Sequence, residues 1–451
     1  MSNNMRKIRI ILMACGCVAV SACSTLGKYK PVEEVSPTLY GNVTGSDAPQ
    51  SMANFSWKEI FTDPALQDII DIALENNLDL KIAQEHINQA QAQLTGARLA
   101  YIPTLSVTPF DEAVFSGSNL GTVTNNYDLN VSSTWQLNIF RLINNQKSAK
   151  AGVEQMGDYR QAVRSQVVAS VANTYYSLLM LDAQLQTAKG MQDDWRESVE
   201  VVNALKEAGL ADQVAVSQYE ANLNSINITV TNLLEQIKAA ENAINLLLAR
   251  EPGHEVPRGD LISQQVPENI VAGVPALMLT LRPDVRAAQR DLELAYYAKR
   301  GALLDFFPKL SISGAGTVLT PLVDVAASLT VPILSAGKNR AAYKAAKSKQ
   351  EETKLAFTQT LLAAGKEVND AFLEYENCLK LKDEYIGRAQ SLDRARKDTE
   401  YLMRNSLDKT YLDVLYANTN FLDAQLNAIA NRTKMLQSVV TLYAALGGGA
   451  I

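Results

Sequence analysis

The chain is predicted to be an α+β membrane protein with an internal twofold repeat, giving four strands to a barrel that one copy cannot close. Three observations lead there. Two stretches about 200 residues apart carry the same residues at the same spacing, four segments alternate apolar and polar side chains, and two long proline-free tracts have helical periodicity.

The repeat is explicit. Leu74, Asp79, Ala83 and Gln84 run to Pro103-Thr104-Leu105-Ser106, and Leu279, Asp284, Ala288 and Gln289 run to Pro308-Lys309-Leu310-Ser311, with the same Asp-to-Pro spacing and no gap. A large tandem duplication builds a symmetric object such as a wall or a tube.

Each proline is followed by two alternating stretches. In the first copy Tyr127, Leu129, Val131, Trp135, Leu137 and Ile139 oppose Asp128, Asn130, Ser132, Thr134, Gln136 and Asn138, broken only at Ser133. In the second copy Val323, Val325, Ala327, Leu329, Val331 and Ile333 oppose Asp324, Ser328 and Thr330. Period two is the signature of a strand with one apolar and one polar face. Shorter first strands precede them, with Leu105 and Val107 against Ser106 and Thr108, and Leu310 and Ile312 against Ser311 and Ser313. Four strands cannot close a membrane barrel, which takes at least about eight. If they face lipid the chain must oligomerise, and three copies give twelve strands. The alternative is a small soluble sheet with one face on a core.

Proline is absent from Phe110 to Glu251 and from Ile333 onward, which permits long helices. The pattern from Asn145 to Ala204 extends about 90 Å at 1.5 Å per residue, and the return segments Val214 to Leu248 and Leu412 to Leu446 nearly 60 Å each. The first return segment carries a coiled-coil seam through Val216, Tyr219, Leu223, Ile226, Val230 and Leu233, continuing to Ile237, Ala240, Ile244 and Leu247. The second has two apolar stripes, one beginning Leu412, Leu415, Leu422 and the other Val414, Ala417, Phe421, so neighbours are expected on both flanks, as in a ring of helices. A third stripe stays polar at Asp413, Tyr416, Asn420, Asp423 and Asn427, matched earlier by Ala215, Gln218, Asn222, Ser225, Thr229 and Asn232. It lines either a solvated outer face or a water-filled lumen.

At the N-terminus Arg6, Lys7 and Arg9 precede an apolar run from Ile10 to Val20 and then Val20-Ser21-Ala22-Cys23. Basic region, short apolar core, small residues and cysteine fall in the order of a lipoprotein signal peptide, and the apolar run is too short to span a bilayer. Cys15 and Cys17 leave with the signal and Cys23 takes lipid, which leaves Cys378 and no disulfide framework. The mature chain keeps 39 basic against 48 acidic residues, a balance that argues against nucleic acid as a partner. His86, His254 and Cys378 are too scattered to supply a metal site, and Gly447-Gly448-Gly449 lacks the strand and the lysine of a phosphate loop. No enzyme, cofactor or metal is expected beyond the lipid on Cys23.

Five motifs resemble the TolC-like outer-membrane efflux proteins, specifically the lipidated branch similar to OprM. They are Trp57-Lys58-Glu59-Ile60-Phe61-Thr62-Asp63-Pro64, Leu281-Arg282-Pro283-Asp284-Val285-Arg286, Phe306-Phe307-Pro308-Lys309-Leu310-Ser311, Tyr411-Leu412-Asp413-Val414-Leu415, and Tyr443-Ala444-Ala445-Leu446-Gly447-Gly448-Gly449. The resemblance implies a homotrimer with a 12-stranded β-barrel in the outer membrane, continued by a 12-helix α-barrel with an equatorial domain. It divides the chain into a signal peptide (1–22), a lipidated wrapping segment (23–56), a first repeat (57–250), an equatorial linker (251–275), a second repeat (276–446) and a tail (447–451). Periplasmic tips would lie at Gly209-Leu210 and at Leu407-Asp408-Lys409, the contacts for a periplasmic adaptor; the family carries glycine where Leu407 stands. Asp413 and Tyr416 fall where relatives carry a constricting aspartate, and with Leu412 they form the expected periplasmic gate, with Lys409 placed to pair with Asp413.

The expected function is a passive exit duct of a tripartite pump, opened by the adaptor and an inner-membrane transporter of the RND type. The alternatives are the outer-membrane component of a type I secretion system and a non-transporting coiled-coil lipoprotein. The lipoprotein box carries its own check: radiolabelled palmitate is expected on the wild type and not on Cys23→Ser, and label persisting in the variant would refute lipidation at Cys23.

Overall fold

The computed structural model describes residues 29–32, 36, 39, 55–115, 123–266, 282–317, 324–330, 337–405 and 409–448. The signal segment, Cys23, Val323, Val331, Ile333, Leu407, Asp408 and Gly449 lie outside the described residues. Within them the order is α1 (Trp57–Ile60), α2 (Pro64–Asn76), α3 (Leu78–Leu99), β1 (Thr104–Phe115), β2 (Val123–Leu137), α4 (Ile139–Glu207) and α5 (Gln213–Leu247). Then come α6 (Pro283–Leu304), β3 (Lys309–Thr317), β4 (Asp324–Thr330), α7 (Lys338–Asn405) and α8 (Tyr411–Ala445). Paired elements agree in length: α3 and α6 have 22 residues each, α4 and α7 have 69 and 68, and α5 and α8 have 35 each. Two compact units emerge, one principally His86–Gly157 with Ala287–Gln359, the other principally Asp158–Arg286 with Thr360–Ile451. The unit boundaries fall inside α3, α4, α6 and α7.

The first unit holds the sheet. All four strands join one antiparallel sheet in the order β1-β2-β3-β4, so the two hairpins expected from the sequence are fused through β2 and β3. The register sets Val107 beside Val131 and Gly316, Trp135 beside Ile312 and Ala327, and Leu137 beside Leu310 and Leu329. Residues directly opposite share a face, so one face is largely apolar across all four strands, with Ser133, Asp111 and Asn125 at polar positions of its register. The other face carries Ser106, Ser132, Thr134, Ser311, Ser313 and Ser328, with Ser106 and Ser132 hydroxyls 3.4 Å apart. Ile139, expected to extend the second strand, instead starts α4, because Leu137 is the last paired residue and the Asn138 carboxamide accepts from the Arg141 amide as a helix cap. At the foot of the sheet Asp305 receives Arg141 and Lys309, the latter at 3.1 Å, and its carbonyl accepts from Asn339 at 3.0 Å.

The second unit is built on buried apolar seams. In α5 the predicted seam holds: Val216, Tyr219, Ile226, Val230, Leu233, Ile237 and Ile244 are buried and none of its other members is exposed. Each such side chain stabilises by roughly 1.5–3 kcal/mol when fully buried. Ala215, expected on the polar stripe, is wholly buried instead; its amide is taken by the Asp212 cap, which leaves the methyl against the core.

The linker after α5 is pinned at three points. Asp63, the N-cap of α2 ahead of Pro64, accepts at one oxygen from the Tyr175 hydroxyl and Gln264 Nε2, both at 2.7 Å. Arg258 reaches Glu241 at 2.6 Å and Asp182 at 2.5 Å. Burial works against the Glu241 carboxylate, and Arg258 with Lys238 outweighs it and holds its pKa below the ordinary value. Arg432 of α8 donates to the carbonyls of Leu261, Ile262 and Gln264.

Both return helices end alike. The turn after α5 has Arg250 N on Asn245 O at 2.8 Å, and that after α8 has Gly448 N on Tyr443 O at 2.9 Å, the Schellman pattern. The left-handed position is Ala249 (φ 53°) in one and Gly447 (φ 93°) in the other. The carbonyl at each helix end is then taken by the residue two before the repeated aspartate: Asn77 donates to Leu247 O at 2.9 Å, and Arg282 to Ala445 O. Arg282 is buried, with Asp284 and Glu367 at 2.6 and 2.8 Å. Loss of Arg282 strands charge and a helix end together, whereas loss of Asn77 removes only neutral bonds, the one to Leu247 O and those its carboxamide oxygen accepts from the Asp79 and Leu80 amides. Arg282→Ala should cost about 2–3 kcal/mol and Asn77→Ala about 1 kcal/mol, read as the larger fall in thermal midpoint for the arginine; equal falls would refute the ordering.

Candidate functional site

The sequence places function at the helix tips of the second unit. The first tip is a Schellman turn: Leu210 N donates to Leu205 O at 2.8 Å and Gly209 N to Lys206 O at 2.9 Å. Gly209 has φ +75°, a conformation that a side chain resists, so the turn favours glycine there. Leu210 stands exposed beyond it. At the second tip only Lys409 lies among the described residues.

Asp413 is built into the start of α8. Thr410 is the N-cap, and a capping box joins the two: Thr410 N and Oγ1 each donate to Asp413 Oδ2 at 2.8 Å, and Asp413 N donates to Thr410 Oγ1 at 3.4 Å. The Thr410 amide, then its hydroxyl, hold the Asp413 carboxyl below its ordinary pKa, and Lys409 adds only through-space attraction. No direct Lys409 to Asp413 ion pair forms among the described residues, because the carboxylate turns back to the cap. The sign follows from the depressed value: the contribution is present above the unfolded pKa of about 3.9 and is lost as pH falls through the folded one. The cap is therefore complete at neutral pH.

The other predicted gate residues sit on the same turn. Tyr416 is exposed, Leu412 is partly exposed at 38%, and Val414 is buried. Val414 thus packs within the chain and Leu412 outside its own core.

Contacts that the sequence reading missed tie the hairpin α4–α5 to the hairpin α7–α8. Arg396 of α7 meets Asp194 of α4 at 2.5 Å and lies 5.0 Å over the Phe421 ring of α8. Arg404 meets Glu197 of α4 at 3.0 Å. The Tyr219 hydroxyl donates to Tyr411 O at 3.1 Å, with the Trp195 ring edge-on at 5.5 Å. Burial, with Glu400 and Tyr411 nearby, pushes the Tyr219 phenol up to about 12, so it stays a donor at any physiological pH. Within the second hairpin Arg388 meets Asp423 at 2.9 Å. The Thr410-to-Asp413 spacing was a legible signal, since a hydroxyl three residues before an acid marks a helix start. The inter-helix pairs had no such signal.

Two long helical hairpins and a four-stranded antiparallel sheet with a largely apolar face are the elements of an outer-membrane type of protein. The model of the outer membrane efflux protein family matches residues 69–250 and 274–448, and the chain belongs to that family. It is similar to the solvent efflux pump outer membrane protein SrpC of Pseudomonas putida, 26% identical over 461 residues covering 95% of this chain and 96% of that protein. It is also similar to the cation efflux system protein CusC of Escherichia coli O6:H1, 26% identical over 471 residues, 97% and 98% of the two chains. A crystal structure of CusC shares the fold, with a TM-score of 0.82, 21% identity and coverage of 94% of this chain and 99% of that one. The probable outer membrane lipoprotein SilC of Salmonella typhimurium is 23% identical over 462 residues, 98% of each chain. The protein is an outer-membrane efflux component.

The two inter-hairpin ion pairs differ in burial. The Arg396 side chain is 13% exposed and that of Arg404 is 40% exposed. Double-mutant cycles are expected to give a coupling of about 1–2 kcal/mol for Arg396 with Asp194 and below about 1 kcal/mol for Arg404 with Glu197. High salt should erase the second first, and the reverse order would remove Arg396 as the principal tie.

Proposed function

We propose that three copies of this chain form the exit duct of a tripartite efflux pump, passive in itself and opened from its periplasmic end. The observation that carries the reading is the sheet. Leu105 and Val325 are each 71% exposed, and Val107, Leu129 and Leu329 are exposed beside them, so apolar side chains on all but the third strand of this face stand uncovered among the described residues. A soluble sheet buries that face; a barrel wall turns it to lipid. Among the described residues no helix is long and apolar enough to cross a membrane.

Three four-stranded sheets supply twelve strands, and the four long hairpin helices of each chain supply a twelve-helix tube. The matched element lengths support an internal duplication with repeats at 57–250 and 276–446, joined by the equatorial linker 251–275. In this arrangement 1–22 is a signal peptide, 23–56 wraps the belt from a lipid on Cys23, and 447–451 is a tail. Gly448 supports the tail's place, because a Cβ there would strike the Tyr443 ring. Apolar side chains exposed on the helices, among them Ile228, Leu234, Leu246, Leu355 and Leu362, are the surfaces that neighbouring copies would cover.

The gate is assigned to Leu412, Asp413 and Tyr416, with Leu412 packing on a neighbouring copy and Asp413 ringing the mouth. Gly209, Leu210, Leu407, Asp408 and Lys409 are the contacts for a periplasmic adaptor protein, which couples the duct to an inner-membrane transporter of the RND type. Opening parts the hairpins joined by Arg396, Arg404 and Tyr219. The duct does not select its cargo: SrpC is named for solvents and CusC for cations. A type I secretion duct shares this architecture, whereas a non-transporting spacer has no use for the sheet.

Native mass measurement should give a trimer, and purified protein should conduct ions across a planar bilayer; a stable monomer would sink the duct. Like charges gathered at a constriction favour cations. Asp413→Asn should therefore lower cation preference and divalent block, and unchanged selectivity would place the constriction elsewhere.

A further inference from the structure

A cavity of about 750 Å³ opens in the second unit between α4, α7, α8 and the turn Asp260-Leu261-Ile262. That volume is typical of small-molecule sites, roughly 300–1,000 Å³. Its middle is apolar, lined by Met191 of α4, Ile386 and Ala389 of α7, and Ala428, Ile429 and Met435 of α8.

Its two ends differ in charge balance. Toward Phe421 the ions are matched: Arg396 holds Asp194 at 2.5 Å and Asp393 at 3.3 Å, and Lys397 holds Asp393 at 2.7 Å. At the other end two cations lack carboxylate partners. Lys382, one helical turn before Ile386, lines the cavity and makes no ion pair among the described residues. Arg432 also lines it, and its bonds go only to the carbonyls of Leu261, Ile262 and Gln264. Asp260 attracts Arg432 through space, but no ion pair joins the two among the described residues, and the Asp260 Oδ2 accepts from the amides of its own turn, Ile262 at 2.9 Å and Ser263 at 3.2 Å. Burial accordingly weighs on the Arg432 charge and lowers its pKa, the mark of a cation that is incompletely neutralised.

We propose that this cavity binds a small amphipathic carboxylate, its headgroup between Lys382 and Arg432 and its hydrocarbon chain along Ile386, Ala389 and Ile429. A charged headgroup gains from two cations that an alcohol cannot use, and an apolar chain gains from the wall that a free inorganic anion leaves bare. A cationic amphipath of the same shape meets carboxylates that are already matched. The lining comes from both hairpins, so an occupied cavity ties α4 to α7 and α8. Binding itself stands apart from the duct reading, because the site is complete within one chain.

The test is calorimetric titration of the purified full-length protein in a nonionic detergent with decanoate, decanol and decyltrimethylammonium, each below its micelle concentration. Decanoate is expected to bind saturably at one site per chain, about tenfold or more tighter than either other probe. Lys382→Gln should weaken decanoate by about tenfold with the thermal midpoint unchanged, since this lysine makes no ion pair to lose. Ala389→Trp should fill the apolar middle and abolish saturable binding. No saturable binding by the wild type, equal binding of the three probes, or an unchanged Kd in either variant would overturn the proposal; unchanged variants would trace the heat to partition into detergent micelles.

Discussion

Backbone polarity is the constraint from which the rest of the molecule follows. A strand with an unpaired edge has N–H and C=O groups that hydrocarbon cannot satisfy, at several kcal/mol for each. The sheet here has β1 and β4 at its edges, and Leu105, Val107, Leu129, Val325 and Leu329 stand exposed on its apolar face. Water penalises the face and lipid penalises the edges. In the duct proposed above, pairing β1 of one copy with β4 of another would satisfy both.

The same accounting governs the few charges that the second unit withdraws from water. Glu241 and Arg282, both buried, and the half-buried Asp63 hold the linker and the helix ends, and each meets more than one partner. A lone buried charge would cost several kcal/mol, whereas a matched set fixes geometry at little net loss. Exposed pairs such as Lys349 with Glu352 contribute at most about 1 kcal/mol and position nothing. Buried clusters therefore set the linker's path, and the exposed helix charges keep the surface wet.

Much of this was legible in the sequence, and the boundary is physical. The α5 seam and the sheet face were readable because each is a periodic pattern within one element, fixed by local geometry. The repeat was readable because Leu74, Asp79, Ala83, Gln84 and Pro103 recur at the same spacing as Leu279, Asp284, Ala288, Gln289 and Pro308. Ile139 and Ala215 were misplaced for a local reason, since a cap at Asn138 and another at Asp212 override the periodicity beside them. Arg396 with Asp194 was out of reach, because it depends on the rotational phase of two helices whose residues lie some 200 positions apart. The Thr410 cap of Asp413 could have been found from spacing alone; the lumenal pattern around it drew the reading away.

The two hairpins are fastened differently at their helix ends. Asn77 is neutral, so its bond to Leu247 O is indifferent to ionic strength, while Arg282 works through Asp284 and Glu367, whose side chains are 44% and 47% exposed. Counterions can compete for those carboxylates and not for the amide. In the proposed trimer, six nominally similar hairpins would then be of two kinds, three that answer to salt and three that do not, and the mechanical symmetry would be threefold even where the backbone looks sixfold.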